Sequence, residues 1–138
     1  MGFFLDMRSS TSSSKTGEGP DIQLGPVPER FGMIKLRTFL VPSPIVTFSG
    51  SIGLIGELGD TYTVEIVRGA DYDPNEVVYR AEGVLGVTGS NETQAFNAQD
   101  LSAPWAIQTV YSSYISGVST TVRNGPEVFT GIASTPFL

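Results

Sequence analysis

Val46-Thr47-Phe48-Ser49-Gly50-Ser51-Ile52-Gly53-Leu54 carries Val46, Phe48, Ile52 and Leu54 on one parity and the small polar Thr47, Ser49 and Ser51 on the other. Successive side chains of an extended chain point to opposite faces, so this stretch reads as a strand with one face on a core and one toward water. The same period recurs on both sides of it. Upstream, Ile34, Leu36 and Leu40 alternate with Lys35 and Arg37 before a turn at Pro42-Ser43-Pro44. Downstream, after Gly59-Asp60, Tyr62, Val64 and Ile66 face one way and Thr61, Thr63 and Glu65 the other. Further strands are expected at 76–81, 93–97, 105–116, 118–123 and 127–133, with a loop at 69–75 and turns at Gly117 and Asn124-Gly125-Pro126. In the segment 105–116, Trp105, Ile107, Tyr111 and Ile115 share one face and Val110 and Tyr114 the other, and a lone tryptophan at strand spacing is more often core than ligand face.

No segment holds a helical period, and Asp100-Leu101-Ser102 suits at most one turn. Short strands separated by turns every 8–12 residues or so specify a sandwich or barrel. The expected fold is all-β, an eight-stranded jelly-roll-like β-sandwich over residues 32–138. An immunoglobulin sandwich is set aside because its Cys…Trp…Cys spacing is missing.

Residues 1–31 read as an extended N-terminal arm in three parts. An apolar tip, 2–7, holds Phe3, Phe4, Leu5 and Met7. A Ser/Gly-rich stretch, 8–20, has no apolar residue for a core of its own and reads as a flexible tether. The segment 21–31 sets Ile22, Leu24 and Val27 among prolines 20, 26 and 28, which fix the backbone extended and remove ladder donors, so it reads as a stiff strap. Burying each apolar side chain of the tip is worth roughly 1.5–3 kcal/mol. An apolar tip on such an arm points to a subunit interface formed by Phe3, Phe4, Leu5, Met7, Ile22, Leu24 and Val27, with the edge of a neighbouring sheet as the receiving surface. Donor and acceptor surfaces then differ, and the contact between copies is heterologous and head-to-tail.

Composition narrows the chemistry. The net charge is −6, and residues 32–138 carry five Lys/Arg against ten Asp/Glu, a field that repels a phosphate backbone and argues against nucleic acid as a partner. With no cysteine and no histidine, the chain has neither disulfides nor thiolates, nor the commonest general base and metal ligand. No run approaches the roughly 18 apolar residues of a membrane-spanning helix, so no membrane partner is expected. The tip also lacks the longer apolar region of a signal peptide.

Other motifs read more simply as structure. Asp71, Asp73, Asn75 and Glu82 fit four positions of a calcium loop, but Glu76 stands where the sharp turn needs glycine, and an Asx turn is the expectation. Glycines 50, 53, 56 and 59 mark close backbone approach. Asn91-Glu92-Thr93 fits a glycosylation sequon without a secretory context. The carboxylate pairs Glu57/Asp60 and Asp71/Asp73 sit in turns, where solvated carboxylates are the rule, so no enzyme activity, cofactor or metal is expected. Trp105, Tyr111, Tyr114 and Tyr72 would suit a sugar-stacking platform if they met on one surface.

Four segments, Pro44-Ile45-Val46-Thr47-Phe48-Ser49-Gly50, Thr63-Val64-Glu65-Ile66-Val67-Arg68-Gly69, Gln94-Ala95-Phe96-Asn97-Ala98 and Gly125-Pro126-Glu127-Val128-Phe129-Thr130-Gly131-Ile132-Ala133, resemble the jelly-roll subunits of thin endospore appendage fibres of spore-forming bacilli. The resemblance implies a pilus-like homopolymer in which an N-terminal connector, here Phe3, Phe4, Leu5 and Met7, docks into an adjacent subunit. It also implies an anchoring or tip protein as a further partner, assembly in the mother cell, and release to the spore surface by lysis. The cysteines that staple the better-known appendages are missing, so any such fibre would hold together without disulfides. The alternatives are a carbohydrate-binding or adhesive β-sandwich module and a viral or phage jelly-roll structural protein.

Overall fold

A computed structural model describes residues 3–136; Met1 and Gly2 of the expected arm, and Phe137 and Leu138, lie outside the described residues. The described residues form nine strands: β1 (Phe3–Ser13), β2 (Ile22–Gln23), β3 (Glu29–Arg37), β4 (Ile45–Ile55), β5 (Thr61–Arg68), β6 (Val77–Val84), β7 (Glu92–Asp100), β8 (Gln108–Gly117) and β9 (Val122–Thr135). One sheet runs β1-β9-β4-β7, with the two-residue β2 pairing with β9 beyond β1, and the other runs β3-β8-β5-β6. Every pairing is antiparallel. The result is a jelly-roll-like β-sandwich.

Period-two patterning fills the space between the sheets as the sequence predicts. Val46, Phe48, Ile52 and Leu54 of β4 are fully buried, facing Ile34 and Leu36 of β3, Val64 and Ile66 of β5, and Tyr111 and Ile115 of β8. Phe48 sits at the centre, edge-on to Tyr111 with ring centroids 4.8 Å apart and stacked on Phe129 at 5.7 Å. Glycine sets how closely the strands approach. A Cβ on Gly50 would stand 2.3 Å from the Phe96 ring and 2.5 Å from the Val128 carbonyl, and one on Gly53 would meet the Gly125 carbonyl.

Three expectations are corrected. Residues 8–13 are not a free tether: they continue the tip into one eleven-residue strand, β1, which pairs with β9 from Phe3↔Thr135 to Ser13↔Glu127. Second, Asn124-Gly125-Pro126 is not a turn but a bulge inside β9. Ile52 of β4 faces Glu127 while Leu54 faces Arg123, so the extra residues are absorbed with Gly125 at φ 81°. Third, Trp105, Ile107 and Leu40 are not core. The β3–β8 pairing ends at Arg37↔Gln108, and beyond it these side chains project from loops.

Candidate assembly interface

The sandwich has two unlike lateral edges. At one, β6 and β7 pair on their inner flanks only. At the other, β1 lies beside β3 and serves its outward backbone groups with side chains rather than with a ladder. Ser12 Oγ donates to the Phe31 carbonyl at 3.0 Å, Met33 N–H donates to Ser10 Oγ at 3.3 Å, and Arg37 N–H donates to Asp6 Oδ2 at 2.9 Å. On the flank toward β9, Ser9 Oγ and Thr130 Oγ1 are 2.8 Å apart. The serine-rich composition that resembles a linker therefore makes a strand whose hydroxyls bind two neighbours.

Asp6 is the most highly connected group of β1. Besides Arg37 N–H it takes bonds from Met7 N–H and from Arg8 Nε at 3.1 Å. Desolvation pushes its pKa up, but the Arg37 N–H bond, the Arg8 guanidinium and the Met7 N–H together outweigh it and hold the carboxyl below its ordinary value.

The residues expected at a subunit contact divide into two groups. Leu24 is buried in the chain's own core and Leu5 packs partly against that core, so neither is a solvent-facing contact group. Phe3, Phe4 and Met7 are 37%, 68% and 53% exposed, and Ile22 and Val27 are exposed as well. The strap lies on its own body through the β2–β9 pairing and through the bonds of Leu24 N–H to Thr121 O and Gly117 N–H to Gly25 O.

Exposed apolar side chains gather at the two poles. At the pole bearing the start of β1, the loops 38–44 and 101–107 contain no charged residue and present Phe39, Leu40, Leu101, Trp105 and Ile107 to solvent. Trp105 Nε1–H donates to the Leu40 carbonyl and ties the two loops together. Phe39 and Leu40 both adopt the left-handed region, at φ 53° and 58°, a conformation that costs a side-chain-bearing residue roughly 1–2 kcal/mol. At the opposite pole Leu58, Val84, Val87 and Val118 are exposed. These clusters are the exposed apolar surface that contact with another molecule would cover. Composition alone missed the loop 38–44, although its run Phe39-Leu40-Val41 between turn residues was the available signal.

Buried charges fix the frame around these surfaces. Arg123 donates to both oxygens of the fully buried Glu127 at 2.6 and 2.8 Å, at the point where the flank of β9 passes from β1 to β2, with Glu29 3.4 Å away. Beneath the first pole Arg68 forks onto Asp100, which also accepts from Tyr111 OH at 2.7 Å; burial and then the Asp100 contact push the Tyr111 pKa far up.

The other candidate chemistry does not assemble. Tyr111 and Tyr114 are buried, and Tyr72 packs edge-on to Tyr114 at 5.2 Å with its hydroxyl on Glu65, so the proposed sugar platform is reduced to Trp105, 75% exposed. Asp73 caps a 3-10 turn, Pro74–Glu76, by accepting from Asn75 N–H: the expected Asx turn. Asp60 accepts from Glu57 N–H and from the hydroxyls of Thr120 and Thr121, which hold its pKa low and make it a loop pin. Among the described residues no three carboxylates come together to hold a metal ion.

No protein-family model and no curated protein matches this sequence. Solved structures match it in fold. Over 98% of this chain the fold is similar to part of dimeric latent PorU from Porphyromonas gingivalis, with a TM-score of 0.53 at 7% identity, the chain covering 13% of that protein. Over 96% it is similar to infectious bursal virus derived T=1 particles, with a TM-score of 0.52, 13% identity and 36% of that chain covered. A third match, to the T13 particle of the same virus, has a TM-score of 0.50 at 14% identity and covers 94% of this chain and 35% of that one. At such identities the likeness concerns the fold alone, and it agrees with the jelly-roll sandwich.

Proposed function

We propose that this chain is a structural subunit that assembles with copies of itself into a fibre, using its N-terminal strand as the connecting element. The observation that carries this reading is β1 itself: an N-terminal edge strand, polar along most of its length, that leaves Phe3, Phe4 and Met7 in water. A strand kept only for its own sandwich gains nothing from two adjacent exposed phenylalanines, whereas their burial between copies contributes roughly 1.5–3 kcal/mol each. Loss of subunit freedom opposes much of that, so contacts of the apolar poles add to it. The sequence resemblance to endospore appendage subunits supports the same reading and implies a place on the spore surface, with the fibre held by non-covalent contacts.

The test is the double substitution Phe3→Ser/Phe4→Ser, with purified protein viewed by negative-stain microscopy. Both rings lie outside the core, so the variant is expected to keep the wild-type circular dichroism and melting curve while losing its filaments. Filaments of normal abundance would overturn the role of the tip, and closed particles from the wild-type chain would replace a fibre with a shell.

A further inference from the structure

We propose that the edge between β9 and β3, filled here by the chain's own β1, is the acceptor for β1 of a second copy, so that subunits join by strand exchange. This rests on the self-assembly reading above and names its acceptor. Three observations carry it. First, β1 contributes no large apolar side chain fully to the core; Leu5 packs against it only partly. The core is therefore indifferent to which chain supplies the strand, and the identical ladder and side-chain bonds form with a strand from either source. Second, the slot is specific. Ser10, Ser12 and Asp6 meet fixed backbone groups of β3, and bulges between Phe4 and Asp6 and between Thr11 and Ser13 pin the register on β9. Polar strands without such pins slip. Third, the fold-back turns on two left-handed residues. The connector 14–21 returns the chain through Gly17 at φ 86° and Asp21 at φ 55°, held by N–H bonds of residues 17, 19 and 21 to the carbonyls of Asn124 and Arg123. Released, its eight residues span roughly 28 Å at about 3.5 Å each. Ser13 and Ile22 face β9 at the same pole, so donor and acceptor meet with those poles within this reach. One-way donation propagates into a filament or ring, and reciprocal donation closes a dimer.

The chain has no cysteine, so a single engineered pair reports which copy donates. Ser9→Cys with Thr130→Cys places two thiols across the β1–β9 register, and Met7→Cys with Ile132→Cys is a second pair of exposed partners. Each variant is assembled, checked by negative-stain microscopy, oxidised, and run on a non-reducing denaturing gel, with Ser9→Cys alone as the control for random coupling. A ladder of covalent multimers beyond the control is expected. A monomeric cross-linked band from filament-bearing samples, with both pairs, would overturn exchange and leave the fibre reading standing. A covalent dimer without higher species would uphold exchange and overturn the open filament. Samples that never assemble would overturn the self-assembly reading and the exchange built on it.

Discussion

Asp6 is the residue on which the position of β1 turns. Its folded-state pKa lies below the unfolded value, near 4, so the clasp is fully present above that value and is lost as pH falls through the lowered one. At neutral pH Asp6→Asn should loosen the pairing of β1 with β3 by about 0.5–1.5 kcal/mol, or roughly two- to tenfold in local opening. Hydrogen exchange at the Arg37 amide measures this directly, and wild-type exchange should accelerate toward the variant's only below about pH 4. Glu127 tests the opposite case, a charge wholly inside. Glu127→Gln leaves the buried Arg123 guanidinium without its forked partner and should destabilise the fold by about 3–5 kcal/mol in denaturant titration. An unchanged midpoint would mean that Glu29, 3.4 Å from Arg123, takes over the pairing.

At the scale of elements, the strands were legible in the sequence wherever one face is apolar. The alternation in β4 and β5 marked both extent and orientation, because a row of apolar side chains turned onto the core leaves a period that needs no knowledge of the partner strand, even in β5, where Glu65 and Val67 of the other row are buried as well. β1 left no such trace. Its polar side chains are chosen for hydroxyl bonds to β3 and β9, and a strand held by backbone pairing and hydroxyls has the composition of a linker. The bulge in β9 was hidden for a related reason: Asn-Gly-Pro serves equally well in a turn or in a bulge, and the long partner β4 decides between them. Deleting residues 1–13 should therefore leave a cooperatively folding body, weakened by about 1–3 kcal/mol from the partial burial of Leu5 and a few edge bonds. Sedimentation should find it monomeric at concentrations where the full chain assembles; loss of cooperative unfolding would show that β1 belongs to the core.

For the whole molecule, a net charge of −6 makes copies repel. Contacts between apolar poles and a polar strand do not depend on opposite charges, so raising ionic strength should help assembly: the Debye length falls from about 30 Å at 0.01 M to about 10 Å at 0.1 M. The subunit concentration left in the supernatant after pelleting should drop over that range, and a rise would point to ion pairs as the dominant contact. The all-β sandwich, the core residues between Ile34 and Ile115, and the apolar N-terminal tip were set by the sequence, because hydrophobic period and composition are local properties of the chain. That the supposed tether is a strand, that Leu24 belongs to the body, and that Trp105 stands in solvent could be read only from the folded chain. Those outcomes depend on which distant strand supplies the hydrogen bonds and where its pairing stops, and pairing between strands so far apart in the chain is written in geometry rather than in any local pattern.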